Sequence, residues 1–240
     1  MLLRNIARKF GALLGKICRL KIRHRVRPVT LKEQLMPICY IVGAGEFYGS
    51  LTPLKDDLVI AADGGYETLS RLGIRCDLLL GDMDSLKEGT DRSENLKRLL
   101  FPIEKDETDT HLAYLEGVRR GYRDFRIYGG VGGREDHTFA NLSLLLYGKN
   151  QGAHITLVGN GYEAFVIKNE AVRLSGREGA TLSVFAFGGD ASGVDILGAK
   201  YEAREVTLTP DFPLGVSNSF LSCEVEVSVR CGVLLIMRET

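Results

Sequence analysis

The chain changes texture once. From Ile38 to Gly159, short apolar runs alternate with stretches whose apolar residues recur every three or four positions. The runs at 38–42, 58–62, 78–80, 125–128 and 155–158 are nearly continuous, the pattern of strands buried on both faces of a parallel sheet. Between them, helices are predicted near 66–72, 93–100, 108–120 and 138–149. The third has the clearest ends. Thr108 suits an N-cap, Asp109 suits the first turn, Leu112, Leu115 and Val118 form one stripe, and Gly121 stops the helix. Strand and helix in alternation predict an α/β layered domain.

After Gly159 the apolar segments are short, β-rich and punctuated by Gly, Pro, Asn and Asp. Strands are predicted at 163–167, 171–174, 181–187, 193–196, 205–208, 216–220, 223–229 and 232–237. Glu224, Glu226 and Ser228 alternate with Val225, Val227 and Val229, the period of a half-buried strand. The predicted architecture is α/β. A mostly parallel, layered sheet domain spans 36–160, and a small antiparallel β-sandwich domain spans 161–240.

Residues 1–35 fit neither texture. They carry ten Lys/Arg against one acid, Glu33, and a loose helical pattern of Leu2, Leu3, Ile6, Phe10, Leu13, Leu14 and Ile17. A membrane-surface helix, a nucleic-acid arm and a targeting peptide share such features. The reading adopted is a basic extension outside the fold, with Met36 as an alternative start. Without these residues the net charge is −9, although the whole chain has +0. An acidic body repels phosphate backbones, so no nucleic-acid partner is expected. No apolar run nears the roughly 18 residues of a membrane span, so no membrane partner is expected either. The five cysteines are scattered and form no CxxC pair, which points to a reducing, cytoplasmic location and away from a zinc site.

The candidate chemistry lies just beyond predicted strands. The run 58–62 leads into Asp63-Gly64-Gly65, and 78–80 into Gly81-Asp82-Met83-Asp84-Ser85. Lys105-Asp106-Glu107-Thr108-Asp109 opens the clearest helix. In an open parallel sheet, ligands bind past the carboxyl ends of the strands. Two carboxylates about 4 Å apart repel by about 4 kcal/mol at an effective dielectric near 20. A hard cation removes that cost, and an all-oxygen donor set points to Mg²⁺. Each piece alone has a plainer reading, since Asp bonds its own backbone in turns and complements helix dipoles. Tyr128-Gly129-Gly130-Val131-Gly132-Gly133-Arg134-Glu135-Asp136-His137 supplies glycines that admit an anion to backbone N–H groups, and an Arg fork for phosphate. Asp136 also reads as a helix cap, and His137 as a packed helix-start residue. Metal and phosphate follow from these residues; the substrate does not.

Four motifs in order bear a further resemblance: Ala62-Asp63-Gly64-Gly65, Cys76 through Ser85, Lys105 through Asp109, and Gly132 through His137. With the late Gly215-Val216-Ser217-Asn218, they resemble the thiamine pyrophosphokinase family over about residues 37–240. The resemblance implies an α/β domain followed by a β-sandwich, a homodimer with a shared site, and the reaction ATP + thiamine → AMP + thiamine diphosphate. It implies that Asp82, Asp84 and Asp109 are the Mg²⁺ and catalytic acids, with Asp106 and Thr108 in the same site. Arg134, Gly132 and Gly133 resemble the phosphate contacts, and Asp63, Gly64, Lys105, Asp136 and His137 complete the ATP side. Ser217 and Asn218 resemble groups that hold thiamine across the dimer. Met83 replaces the usual Phe, Ser219 follows Asn218 where an acid is common, and the chain has no Trp. Tyr201, Phe212 and Phe220 are the aromatic candidates for the thiamine ring. A metal-dependent phosphohydrolase and a non-catalytic nucleotide sensor are the competing readings. The former fits poorly, because Asp82-Met83-Asp84-Ser85-Leu86 lacks the Thr or Val of a DxDx[TV] motif.

Overall fold

A computed structural model describes residues 36–81, 97–100 and 107–240. The expectations placed on Asp82, Asp84, Lys105, Asp106 and residues 1–35 lie outside the described residues.

The first half supplies β1 (Ile38–Val42), β2 (Leu58–Ala62), α1 (Gly65–Leu72), β3 (Leu78–Gly81), β4 (Lys97–Leu100), α2 (Asp109–Arg119), β5 (Asp124–Tyr128), α3 (Glu135–Asn150) and β6 (His154–Gly159). The second half supplies β7 (Tyr162–Lys168), β8 (Ala171–Ser175), β9 (Thr181–Ala186), β10 (Ala191–Leu197), β11 (Ala203–Leu208), β12 (Asn218–Ser219), β13 (Glu224–Cys231) and β14 (Val233–Glu239). One sheet runs β12-β9-β14-β7-β6-β5-β1-β2-β3-β4, and a second runs β11-β10-β13-β8. Pairing from β4 through β6 is parallel. Pairing from β6 onward through β7, β14, β9 and β12 is antiparallel. The change of texture at Gly159 is therefore a change of pairing inside one continuous sheet.

One expected helix is corrected. Part of the 93–100 segment, Lys97–Leu100, is strand β4, parallel to β3 with Leu78 opposite Lys97 and Gly81 opposite Leu100. A run this short has no decisive period of its own, and the free edge of β3 settles its form. The expected strand at 216–220 shrinks to Asn218–Ser219.

Burial explains the layers. Every residue of β2 is buried. Leu58, Ile60 and Ala62 face the core under α2 and α3 with Tyr114, Leu144 and Leu145. Val59 and Ala61 face α1 through Leu69. The same alternation joins the two sheets. On β7 and β14, Ala164, Val166, Val233 and Leu235 turn toward the helices. Phe165, Ile167, Leu234 and Ile236 turn toward the small sheet and meet Val194, Val225, Val227 and Val229.

The topology fixes where a ligand fits. From β1 the chain steps outward through β2, β3 and β4, then returns to β5 on the other flank of β1. Strand order reverses between β1 and β5, so the loops after those two strands diverge and leave a crevice. No helix among the described residues is long and apolar enough to cross a membrane.

Candidate active site

The crevice is built from two glycine loops. Gly43 donates its N–H to the Tyr128 carbonyl at 2.8 Å, and Gly45 donates to the Gly129 carbonyl at 2.9 Å. The loop after β1 thus extends the pairing with β5 beyond the sheet. The approach leaves no room for side chains. A Cβ on Gly45 would lie 2.7 Å from the Gly129 oxygen and 2.8 Å from that of Val131. Gly129, at φ +62°, would drive a Cβ into the Gly43 carbonyl. Phe47 stacks on Tyr128, with ring centroids 5.1 Å apart, and anchors the first loop. Asn141 is buried and donates its amide to the Gly130 carbonyl at 2.8 Å, which braces the second loop from α3.

Above this floor lies a cleft of about 370 Å³. Ala44 and Gly45 border it from β1, Asp63 from β2, and Thr110 from α2. Gly133, Arg134, His137 and Thr138 border it from the second loop and α3. Asp63 has φ +49°, the left-handed region that short polar side chains tolerate best. Its N–H donates to the Leu80 carbonyl at 2.7 Å, tying the ends of β2 and β3 together. Gly81, the last residue of β3, packs on the Asp63 backbone. Gly64 is the N-cap of α1. Thr108 caps α2, its hydroxyl accepting the His111 N–H at 3.2 Å, and Asp109 follows in the first turn.

Arg134 is the N-cap of α3, and its guanidinium grips Asp136 through Nη2 at 2.6 Å and Nε at 3.2 Å. The hydrogen bond from Arg134 holds the Asp136 carboxyl below its ordinary range, and the His137 N–H, 3.0 Å from Oδ1, adds to this. Asp136 therefore stands inside the helix, paired, and not at the cap. Both side chains are largely exposed, so the pair is open to exchange with an incoming anion. Gly132, in the same loop, packs against Tyr48 and Glu46 of the first loop.

Among the described residues, no group of three or more His, Cys, Asp or Glu is gathered to hold a metal ion. Of the three acids expected as ligands, Asp82 and Asp84 are outside those residues, and Asp109 opens α2. Asp63 and Asp109 offer oxygen donors only, the chemistry that suits a hard cation.

Ser217 and Asn218 are not at this cleft. They lie on or beside β12, and β9, β14, β7 and β6 separate β12 from β5. Ser217 has φ +57° and an exposed side chain, and its N–H donates to the Ser183 hydroxyl at 3.1 Å. Asn218 is buried. A second concavity of about 520 Å³ runs between α2 and α3, lined by Thr108, His111, Ser143, Leu144 and Tyr147.

Sequence reasoning missed Ala44, Gly45, Thr110, Thr138 and Asn141. A signal was present in Gly43-Ala44-Gly45, a glycine pair directly after a buried strand.

Residues 53–157 match the family described as thiamin pyrophosphokinase, catalytic domain. Residues 167–234 match thiamin pyrophosphokinase, vitamin B1 binding domain. The thiamine pyrophosphokinase of Bacillus subtilis (strain 168) is 29% identical over 203 residues, covering 79% of this chain and 92% of the relative. The crystal structure of a thiamine pyrophosphokinase from Bacillus subtilis superposes with a TM-score of 0.79 at 26% identity, covering 85% of this chain and 99% of that one. One from Geobacillus thermodenitrificans gives 0.75 at 26% identity, covering 85% and 97%. The yeast thiamin pyrophosphokinase shares the fold, with a TM-score of 0.69 at 14% identity over 91% and 93% of the two chains. Both family domains match in order, and the mixed sheet and small antiparallel sheet are those of the solved relatives: the chain belongs to the thiamin pyrophosphokinase family.

Proposed function

We propose that this chain transfers the pyrophosphoryl group of ATP to thiamine, giving thiamine diphosphate and AMP. The observation that carries the reading is the crevice between β1 and β5, floored by two interlocked glycine loops and flanked by Asp63, Thr110 and Arg134. Backbone N–H groups, the start of α3 and the Arg134 fork suit a triphosphate. Phosphoryl-type transfer needs little covalent chemistry from the protein, so positioning and charge neutralisation suffice. The thiamine hydroxyl oxygen bonds to the β-phosphorus. The bond from that phosphorus to the α,β-bridging oxygen breaks, and AMP leaves. The hydroxyl proton passes to an aspartate of the set Asp82, Asp84 and Asp109.

These three acids are also the residues that would hold Mg²⁺, and Lys105, Asp106 and Thr108 directly precede Asp109 in sequence. A bound Mg²⁺ supplies neutralisation of the phosphate charge. Asp63 and Gly64 form the turn after β2, while Gly132, Gly133, Asp136 and His137 shape the ATP side.

Thiamine is held by the Ser217 loop of a second copy. Exposed apolar side chains support a homodimer: Tyr201, Phe212, Leu214, Val216 and Leu221 on the β-rich half, and Phe139 and Tyr147 along α3. Reciprocal seating of one set on the other would close with two-fold symmetry. Among the aromatic candidates, Phe220 is 2% exposed and cannot offer a face, whereas Tyr201 is 63% exposed and adjoins Asn218. Tyr201 is our choice for the thiamine ring. Cys39, Cys76 and Cys223 are free thiols, in keeping with a cytoplasmic protein.

The test is ³¹P NMR of the protein with ATP, Mg²⁺ and thiamine. AMP with thiamine diphosphate is the expected result. Inorganic phosphate released without thiamine would replace this reading with hydrolysis, and an unchanged spectrum with a nucleotide sensor.

A further inference from the structure

The family resemblance carries Asn218 over as a group that holds thiamine, yet its side chain is engaged within its own chain. Its Oδ1 accepts the Tyr201 N–H at 2.9 Å and the Ser219 N–H at 2.9 Å. Its Nδ2 donates to the Tyr201 carbonyl at 2.8 Å. A carboxamide has two acceptor positions and two donor hydrogens, so one hydrogen remains for anything else. The residue is also only 5% exposed. By contrast, the residues on either side of this clasp face solvent. Ser217 is exposed, in a left-handed conformation. The Tyr201 ring is exposed too, with Lys200 Nζ 5.4 Å from its centroid.

The clasp has a definite design. Asn218 bonds both the N–H and the C=O of one residue, as a neighbouring strand would, and holds a segment that belongs to no strand. The lacing continues on both sides of it. Lys200 donates its N–H to the Ser219 carbonyl at 2.8 Å, and Leu221 donates to the Gly198 carbonyl at 3.1 Å. Ala199 and Phe220 form an isolated bridge, with Phe220 buried beneath. The 198–201 segment is thereby fixed along the 218–221 segment, and the peptide groups of Tyr201, whose ring is exposed, are held by the residue that follows the exposed Ser217.

We propose that Asn218 is a positioning residue that does not touch thiamine: it clasps the Tyr201 peptide groups and so sets the Tyr201 ring and Ser217 as one rigid rim for the substrate. This rests on the reading of Tyr201 as the aromatic face for thiamine.

The test is a double-mutant cycle with steady-state kinetics in both substrates. Asn218→Ala and Tyr201→Ala should each raise the KM for thiamine about tenfold and leave the KM for ATP within about twofold. The double variant should be no worse than the weaker-binding single, because a clasp without its ring has nothing to position. Two factors that multiply to about a hundredfold would show that Asn218 meets thiamine itself, and would overturn the proposal. An unchanged thiamine KM in Asn218→Ala would leave only a structural clamp, and would overturn it equally. If Asn218→Ala does not fold, Asn218→Asp serves in the same cycle. It keeps the acceptors and sets a carboxylate against the Tyr201 carbonyl. Amide hydrogen exchange at Tyr201 reads the clasp without any substrate: it should be slow in the wild type and at least about tenfold faster in either variant. Failure of the wild type to consume thiamine would defeat the proposed function, whereas an unaltered exchange rate at Tyr201 would defeat the clasp.

Discussion

Gly45→Ala is the sharpest test of how the crevice is made. The added methyl group would sit 2.7 and 2.8 Å from two backbone carbonyl oxygens of the facing loop, those of Gly129 and Val131. Carbon–oxygen contacts between backbones settle near about 3.3–3.6 Å, so the loops must part by about half an ångström or more. Overpacking of this kind costs about 1–3 kcal/mol. The Gly45–Gly129 hydrogen bond, now 2.9 Å, is stretched or lost, at about 1 kcal/mol more. The sum, about 2–4 kcal/mol, is less than the stability of most domains, so the variant should fold. A protein of this size loses about 2–4 °C of Tm per kcal/mol, which predicts a fall of about 5–15 °C. Displacing a loop that floors the proposed phosphate site should also cost about 30- to 100-fold in kcat/KM for ATP. Gly133→Ala is the control. Its Cβ would meet only the Gly45 α-carbon, at an ordinary 3.9 Å, so Tm should stay within about 2 °C. Thermal unfolding and an AMP-release assay read both variants. Wild-type Tm and kcat/KM in Gly45→Ala, or an equal loss of Tm in Gly133→Ala, would refute the interlock.

Arg134→Ala should leave Tm unchanged, because its pair with Asp136 is exposed, and should raise the KM for ATP about tenfold; an unchanged KM would remove Arg134 from the phosphate site. Chelation by EDTA should abolish turnover, with recovery on adding Mg²⁺ and not on adding Ca²⁺, as the two cations demand different coordination; full activity in EDTA would refute the metal. Glu116 is buried in α2, and the hydrogen bonds of Arg119 and then Arg120 hold its carboxyl below the ordinary 4.5. A depressed folded pKa stabilises above the unfolded value and ceases to do so as pH falls through the folded one. Glu116→Gln should therefore lower the urea midpoint at pH 7, with the gap closing below about pH 4; an equal gap at both would show that charge is not the cause.

The parallel half of the fold was legible because burial there is so complete. β2 is buried at every position, and only a strand with cover on both faces takes five apolar residues in a row. β4 was not legible. It is an edge strand of four residues whose form depends on the free hydrogen-bonding groups of β3, and those are remote in sequence. The glycine loop at 129–133 could be read, since it bore an Arg fork and stood before a helix. Its partner at Gly43–Gly45 carried no charged group to mark it. Its role emerges only when β5 is known to lie beside β1, because the crevice belongs to the pair and to neither loop alone. Asn218 illustrates a different limit. Its position in a motif suggested contact with a ligand, and a motif cannot tell a side chain that faces outward from one that holds a neighbouring segment in place.

The sheet bears directly on the proposal that two copies complete the site. Five strand steps separate β12 from β5, about 24 Å at the usual spacing. Reacting atoms must approach within about 3–3.5 Å, and no Ser or Tyr side chain bridges the difference. If the Ser217 loop holds thiamine, the acids it serves belong to another copy. That arrangement makes a prediction that an internal site does not. Asp82→Asn and Ser217→Ala should each be nearly inactive as pure proteins. Unfolded together and refolded in equal amounts, they should form heterodimers as about half of all dimers. Each heterodimer pairs one doubly defective site with one that draws its acids from the Ser217→Ala chain and its Ser217 from the Asp82→Asn chain. The mixture should recover about a quarter of wild-type activity. A site contained in one chain gives no recovery at any ratio, and that result would return Ser217 to a purely structural role.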